Sequence, residues 1–150
     1  MDNFAISSIT GIIVPSSRDM VLVGNRSHKE SFYAAVKNRF VSERFEPNKD
    51  SSLIMALYRG LLKEAEVEID TSGVVYLGNT SFMRKGMPVV QLCFGALAIK
   101  YPVNFRDNDE MKDLRFESPS KLLSVLSRDD FYESKMIEWI NQARKIDFIK

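Results

Sequence analysis

A short stretch of the chain has the spacing at which a helix can mount a metal-binding site. Gly60, Lys63, Glu64 and Val67 stand on neighbouring turns of a predicted helix, so their side chains share one surface. Carboxylates placed in this way can hold Mg²⁺ or Mn²⁺, which activate water and neutralise phosphate charge. Only Glu64 among these four residues is an acid, and the Lys63 ammonium stands beside it.

An amphipathic helix over residues 51–66 is predicted to carry this stretch. Its apolar residues recur three and four positions apart, at Leu53, Ile54, Leu57, Tyr58, Leu61, Leu62 and Ala65. Asp50 or Ser51 is a plausible N-cap. Gly60 inside the helix costs ~1 kcal/mol relative to alanine. Close packing of a neighbouring element, or neutral drift after loss of a carboxylate, would explain that glycine.

The rest of the chain alternates strand and helix patterns. Residues 6–15 and 20–24 are β-branched runs on either side of a polar turn, and a hairpin is the simplest interpretation. Residues 87–99 are apolar at nearly every position, which predicts a strand buried on both faces. Two closing helices are predicted near 119–127 and 130–146, capped by Ser118 and by Asp129 or Asp130. Tyr132, Met136, Trp139, Ile140 and Ala143 form the inward stripe of the second one.

The stretch around Arg59 resembles the Nudix box, G-x5-E-x7-R-E-U-x-E-E-x-G-U, where U is a bulky apolar residue. Four positions match it: Arg59, Leu61, Glu64 and Val67. Five depart from it: Phe45 and Glu66 stand at its glycines, and Ser51, Gly60 and Lys63 stand at its glutamates. The order of the flanking segments is also similar to the Nudix pattern. Those segments are residues 9–15, 20–26, 74–78, 89–98 and 109–123.

The resemblance covers nearly the whole chain and implies a single α/β domain over residues 1–150. Its expected architecture is an α/β/α sandwich with a mixed central β-sheet. The resemblance also implies hydrolysis of a nucleoside diphosphate linked to another moiety, with Mg²⁺ or Mn²⁺ as cofactor if the hydrolase is active. The acids missing at Ser51, Gly60 and Lys63 favour a degenerate protein without metal-dependent hydrolysis, which binds a nucleotide-like ligand or a protein partner. The alternative is an active pyrophosphohydrolase with a rearranged acid set.

Candidate site residues follow from both hypotheses. The catalytic residue of an active enzyme is Glu64, the candidate metal ligands are Glu64 and Glu110, and the candidate substrate-binding residues are Arg26, Phe32, Tyr33, Arg59, Lys63 and Glu110. Acids that would rebuild a displaced metal site are Glu66, Glu68, Asp107, Asp109 and Glu110. Each assignment has a structural alternative: Arg26 is a charge at a strand end, Lys63 is solvated or paired with a glutamate, and the aromatic residues belong to the core. His28, the single histidine, is interpreted as a polar loop residue.

Charge and composition limit the partners. The formal net charge is +1, so no overall field favours a nucleic acid or an anionic membrane. Cys93 is the single cysteine and lies in an apolar run, which favours a buried thiol and a cytoplasmic setting. No apolar run approaches the ~20 residues of a membrane span, and no signal peptide is expected. A homodimer is predicted, mainly because many Nudix domains pair and partly because this chain carries 10 Phe, 5 Tyr and 7 Met.

Overall fold

A computed structural model describes residues 6–27 and 36–150 and confirms a mixed α/β architecture. The strands are β1 (Ile6–Val14), β2 (Val21–Arg26), β3 (Val36–Arg39), β4 (Val41–Arg44), β5 (Glu68–Ile69), β6 (Val75–Arg84), β7 (Met87–Lys100) and β8 (Met111–Glu117). The helices are α1 (Leu53–Ala65), α2 (Pro119–Val125) and α3 (Phe131–Lys145). The three helices predicted from the sequence are present, each slightly shorter than expected.

The central strand of the larger sheet is β7. It pairs in parallel with β1 on one side, and antiparallel with both β6 and β5 on the other. Strand β4 extends this sheet beyond β1, and a smaller sheet has the order β3-β2-β8. The apolar run is therefore paired on both edges, and its residues from Val89 to Ala98 pack on both faces, as the sequence predicts, whereas Met87 and Ile99 at its ends are exposed.

The predicted hairpin between the first two strands is wrong. Strand β1 pairs with β4 and β7, whereas β2 pairs with β3 and β8, so the two strands belong to different sheets. Residues 15–20 connect them, a connection longer than the tight loops that hold two strands in one ladder. A polar turn signal marks a change of direction, but it does not fix which strands become hydrogen-bonded.

Helix α1 packs on one face of the larger sheet. Its N-cap is Ser52, whose hydroxyl accepts a hydrogen bond from the Met55 amide at 3.2 Å, and not Asp50 or Ser51 as expected. Asp50 is instead used in an ion pair described below. The apolar side of the helix is buried against β1, β4 and β8, and its buried members are Ala56, Leu57, Leu61 and Ala65.

The last two helices close the opposite side. Ser118 and Asp130 cap α2 and α3, and each side chain accepts an amide hydrogen bond from the residue three positions later. The predicted inward stripe of α3 is confirmed, since Met136, Trp139, Ile140 and Ala143 are buried and Tyr132 packs against them. Helices thus cover both faces of the mixed sheet. No helix in the described residues is long and apolar enough to cross a membrane.

Helix α1 ends with a backbone conformation that favours glycine. Glu66 has φ 57° and ψ 33°, and the Glu66 and Val67 amides donate to the Leu62 and Leu61 carbonyls at 3.2 Å. A side chain in this left-handed region is strained, whereas glycine adopts it freely. The glycine of the Nudix box would stand at this position.

Replacing Glu66 with glycine is therefore expected to stabilise the fold by about 1 kcal/mol, despite the greater flexibility of the unfolded chain. Thermal unfolding should show a rise in Tm of about 2–4 °C. Glu66→Ala is the matched control, because it removes the same charge and keeps the Cβ atom. Equal Tm values for the two variants would show that the backbone strain is not relieved.

Candidate functional site

The centre of the candidate site is the Glu64 carboxyl group, in the last turn of α1. Glu64 is only 3% exposed, and neither of its carboxyl oxygens has a hydrogen bond of standard geometry. Burial raises the pKa of Glu64 to about 9, and the neighbouring Glu110 and Glu43 carboxyls contribute to this rise. The Glu64 and Glu110 carboxyl groups therefore lie close enough to change each other's pKa, although no hydrogen bond of standard geometry joins them. Glu64 carries its proton at neutral pH.

Glu110 faces Glu64 from the loop that precedes β8, as the sequence hypothesis requires for a shared site. The pKa of Glu110 is lowered, first by the protonated Glu64 carboxyl and then by the Lys63 and Arg26 charges. The Lys63 ammonium lies 3.6 Å from the Glu110 carboxylate. Lys63 therefore pairs with Glu110, and not with Glu64 or Glu66. The structure brings together four predicted residues, namely Arg26, Lys63, Glu64 and Glu110.

Asn108 holds the Glu110 loop against the helix, and sequence reasoning missed it. The Asn108 side-chain nitrogen Nδ2 donates to the Glu64 backbone carbonyl at the end of α1. The Asn108 side-chain oxygen accepts hydrogen bonds at 2.9 Å from the amides of Glu110 and Met111. One side chain thus satisfies a free carbonyl at the helix end and fixes the turn that presents Glu110. The sequence signal that could have revealed this role is the position of Asn108, two residues before Glu110 and at the start of the turn that leads into β8.

Gly60 is covered by Glu43, a residue of β4 that sequence reasoning also missed. A Cβ atom added at Gly60 would lie 2.6 Å from the Glu43 Cβ and 3.2 Å from its carboxylate oxygen Oε2. Close packing of a neighbouring element is therefore the correct explanation of this glycine. Position 60, one of the glutamate positions of the Nudix box, can take a side chain only if Glu43 and its strand shift.

Arg59, which stands at the arginine of the box pattern, is bound by carboxylates of its own chain. Its guanidinium donates two hydrogen bonds of 2.8 Å to Asp50, whose side chain is 1% exposed, and this pairing lowers the pKa of Asp50. It also lies 3.5 Å from the Glu43 carboxylate and donates to the Arg44 carbonyl at 2.9 Å. The structure therefore places Arg59 where it fixes β4, and with it Glu43, against the helix.

Three acids offered for a displaced metal site, Asp107, Glu66 and Glu68, have other surroundings in the structure. Phe32, Tyr33 and His28 lie outside the described residues. Asp107 accepts a hydrogen bond from the Asp113 amide at 2.9 Å, and Glu66 is exposed at the helix end. Burial raises the pKa of Tyr58, and the Glu68 carboxylate beside the Tyr58 hydroxyl adds to this rise.

The residues around Glu64 do not fit a magnesium or manganese centre. Within residues 6–27 and 36–150, no group of three histidine, cysteine or acidic side chains is placed to hold a metal ion. Of the two acids in contact, Glu110 is already paired with an ammonium, and Glu64 would first have to lose its proton. Hard divalent cations need ionised oxygen ligands and an excess of negative charge. Here only Glu110 is ionised, and the Lys63 ammonium neutralises its charge.

Comparison with known proteins identifies the architecture through solved structures alone. No protein-family model matches the sequence, and no curated protein matches it. Solved structures do match across almost the whole chain. A Nudix hydrolase from Nitrosomonas europaea is 15% identical with a TM-score of 0.71, covering 98% of this chain and 97% of that chain. A MutT protein from Methanosarcina mazei Go1 is 16% identical with a TM-score of 0.69, covering 97% and 98%.

A third similar structure is the Nudix domain of Shewanella oneidensis NrtR, solved in complex with ADP ribose. It is 15% identical with a TM-score of 0.69, and the match covers 95% of this chain and 88% of that chain. Identities at this level establish the architecture and not the chemistry. The protein described here has the Nudix fold.

Proposed function

We propose that this protein is a Nudix-fold protein without metal-dependent hydrolysis, which uses its cleft to bind a nucleotide-like ligand. The observation that carries the proposal is the contact between Gly60 and Glu43. A glutamate at position 60 would force β4 away from α1, because its Cβ would lie 2.6 Å from the Glu43 Cβ. The helix surface that would present several acids to a metal thus presents Glu64 alone.

The charges around Glu64 support the same proposal. Lys63 neutralises Glu110, and Arg26 adds a second positive charge that acts on both glutamates. A metal-dependent hydrolase requires the opposite balance, since the dication and the pyrophosphate together must be compensated by fixed negative charge. The surface at the end of α1 is therefore better suited to an anion than to a cation.

A nucleotide-like ligand fits this charge distribution. Arg26 and Lys63 offer donors for phosphate oxygens, and Phe32 and Tyr33 stay predicted to stack on a base. Arg59 is a weaker candidate for ligand contact than the sequence indicates, because a ligand would have to compete with Asp50 for its guanidinium. The ADP ribose bound to the similar Shewanella domain supports a ligand of this class. A protein partner and a cytoplasmic location are further predictions that fit the same reading.

A rearranged active hydrolase is the second candidate, and one observation favours it. The Glu110 and Glu43 carboxyls both raise the pKa of Glu64, so two acids from outside the helix act on this side chain. In that hypothesis Mg²⁺ or Mn²⁺ would displace Lys63 from Glu110 and ionise Glu64. The two candidates therefore make opposite predictions about the response to added metal.

Turnover of ADP-ribose, NADH, diadenosine polyphosphates and oxidised nucleoside triphosphates is expected to be undetectable with either Mg²⁺ or Mn²⁺. The physical reason is that the charge developing on the pyrophosphate has no metal to stabilise it. Product formation should be followed by chromatography, and binding of the same compounds by calorimetry with and without metal. Binding without turnover is the expected result, and Arg26→Ala should weaken it.

Two variants make this experiment decisive. Glu64→Gln is the control for any activity, because robust turnover by the wild-type protein that disappears in this variant would establish the hydrolase. The triple variant Glu43→Gly, Gly60→Glu, Lys63→Glu restores two of the three missing glutamates of the box, those beside Glu64 on the helix. Glycine is required at position 43, because alanine would keep the Cβ that blocks Gly60. Metal binding that appears only in the triple variant supports the proposal.

A further inference from the structure

A row of polar side chains crosses the larger sheet on the face that α3 covers. Ser42 of β4 donates to the Thr10 hydroxyl of β1 at 2.9 Å, and the Thr10 hydroxyl donates to the Val41 carbonyl at 3.3 Å. The Gln91 side-chain nitrogen Nε2, on β7, donates to the Ser42 hydroxyl at 3.5 Å and to the Tyr132 hydroxyl of α3 at 3.4 Å. Thr10 and Gln91 are buried. The row reaches the surface at Ser42 and Tyr132, which are partly exposed.

The backbone carbonyl at one end gives this polar row a fixed direction. A carbonyl oxygen can only accept, so the Thr10 proton points to Val41, and the Ser42 proton must then point to Thr10. The Ser42 oxygen is therefore left to accept from the Gln91 Nε2 group. This requirement orients the Gln91 amide, whose nitrogen and oxygen ends would otherwise be interchangeable, and it turns the oxygen Oε1 away from Ser42.

The Gln91 oxygen Oε1 is a buried acceptor that lacks a donor. Gln91 is 4% exposed, and Oε1 has no hydrogen-bond partner among the described residues. Leaving a buried carbonyl unpaired destabilises a fold, and native proteins rarely do so without a functional reason. The Tyr132 hydroxyl accepts from Nε2, so its own proton is available to another partner. Gln91 and Tyr132 thus offer an acceptor beside a donor.

We propose that Gln91 and Tyr132 recognise a nucleobase that carries an exocyclic amino group beside an acceptor nitrogen, as adenine and cytosine do. The amino group donates to Gln91 Oε1, and the Tyr132 hydroxyl donates to the ring nitrogen. An amino group projects beyond the ring, so it reaches a recessed oxygen without burial of the whole base. Hypoxanthine and uracil present the opposite pattern, a carbonyl beside an N–H group, which places like groups against each other. The inference rests on the proposed function, because it takes the ligand to be nucleotide-like.

Strand β4 lies between this row and the charges at the end of α1. It is the edge strand of the larger sheet, and its side chains alternate between the two faces. Glu43 faces α1, whereas the neighbouring Ser42 belongs to the polar row. A nucleotide that spans this edge strand has its base at Gln91 and its phosphates near Arg26 and Lys63.

Calorimetric titration with four nucleoside diphosphates tests the inference. Adenosine and inosine diphosphates differ only in the amino group and the adjacent ring nitrogen, and cytidine and uridine diphosphates form a second matched pair. The wild-type protein is expected to bind the adenosine or the cytidine compound at least about tenfold more tightly than its deaminated counterpart. Gln91→Met keeps the length of the side chain and removes Oε1. In this variant the preference should fall below about threefold.

The preference is a ratio of two affinities measured on one protein, so a partly unfolded variant does not change it. Thr80→Val is the matched control, because Thr80 lies opposite Gln91 in the ladder of β6 and β7 and takes no part in the polar row. This variant should keep the preference. Equal affinities within each pair, or a preference that Gln91→Met retains, would overturn the inference and leave the proposed function standing. Failure of all four compounds to bind would contradict the proposed function itself, and the inference with it.

Discussion

Replacing Gly60 with alanine is expected to destabilise the protein by roughly 1–3 kcal/mol, as overpacking does in a filled core. The opposite result holds for an ordinary helix, where alanine is about 1 kcal/mol better than glycine. The difference arises because the new Cβ would meet the Glu43 Cβ at 2.6 Å, and strand β4 would have to move away from α1. Gly60→Glu should be worse, because it adds a buried negative charge beside Glu43 and Glu64. Denaturant unfolding measures both effects.

A double-mutant cycle separates the steric contact from other effects of substitution. Glu43→Gly removes the obstructing Cβ and should largely restore the stability of the Gly60→Ala protein, whereas Glu43→Ala should not. Gly73→Ala is a control with open space, since its Cβ would meet only the Asp70 carboxylate at 3.8 Å. The coupling energy between positions 43 and 60 is the decisive quantity. A coupling near zero would mean that β4 and α1 separate easily.

Replacing Glu64 with glutamine is expected to stabilise the protein by roughly 2–3 kcal/mol at pH 7. Glu64 has a pKa of 4.5 in the unfolded chain and about 9 in the folded one. Between these values the folded protein retains a proton that the unfolded chain has released, so the wild-type stability falls as the pH rises from 4.5 to 9. Glutamine is neutral in both states and removes this dependence.

Unfolding of the two proteins at pH 6 and at pH 8 measures the effect. The gap between wild type and Glu64→Gln should widen at the higher pH, and Glu66→Gln, an exposed glutamate, should stay within about 0.5 kcal/mol of the wild type. Millimolar Mg²⁺ gives an independent readout of the proposed function. A metal held by the ionised Glu64 carboxylate would stabilise the folded state at pH 8. Stabilisation of that kind, absent in Glu64→Gln, would favour the rearranged hydrolase.

Local sequence patterns predicted the elements that local forces determine. The helix around Gly60, the caps at Ser118 and Asp130, and the buried strand over residues 87–99 each leave a signal within a short window. Pairing partners leave no such signal, and the hairpin between β1 and β2 was wrong for that reason. The short strands β3, β4 and β5 went unrecognised because four residues or fewer show too little alternation.

The candidate site was predictable only where a helix or a loop position defined it. Glu64 and Glu110 were identified, and the structure places their carboxyls together. Glu43 was missed because it reaches Gly60 from another element, and nothing in the spacing of the helix indicates which strand covers it. Asp50 was predicted as a cap, whereas its carboxylate binds Arg59. These side-chain contacts join different elements of the fold, so they can be identified only once the packing of those elements is known.

The parallel pairing of β1 with β7 has a consequence for how the chain acquires its structure during synthesis. Ile6 pairs with Val89 and Val14 pairs with Leu97, so partners in this ladder are 83 residues apart. Closing a loop of that length is entropically costly and slow relative to the β6–β7 hairpin, whose two strands are joined by Lys85 and Gly86. A nascent chain therefore exposes the inner edge of β1 until residue 97 has left the ribosome. Through most of its synthesis the first strand depends on β4 alone, or on a chaperone, to keep it from pairing elsewhere.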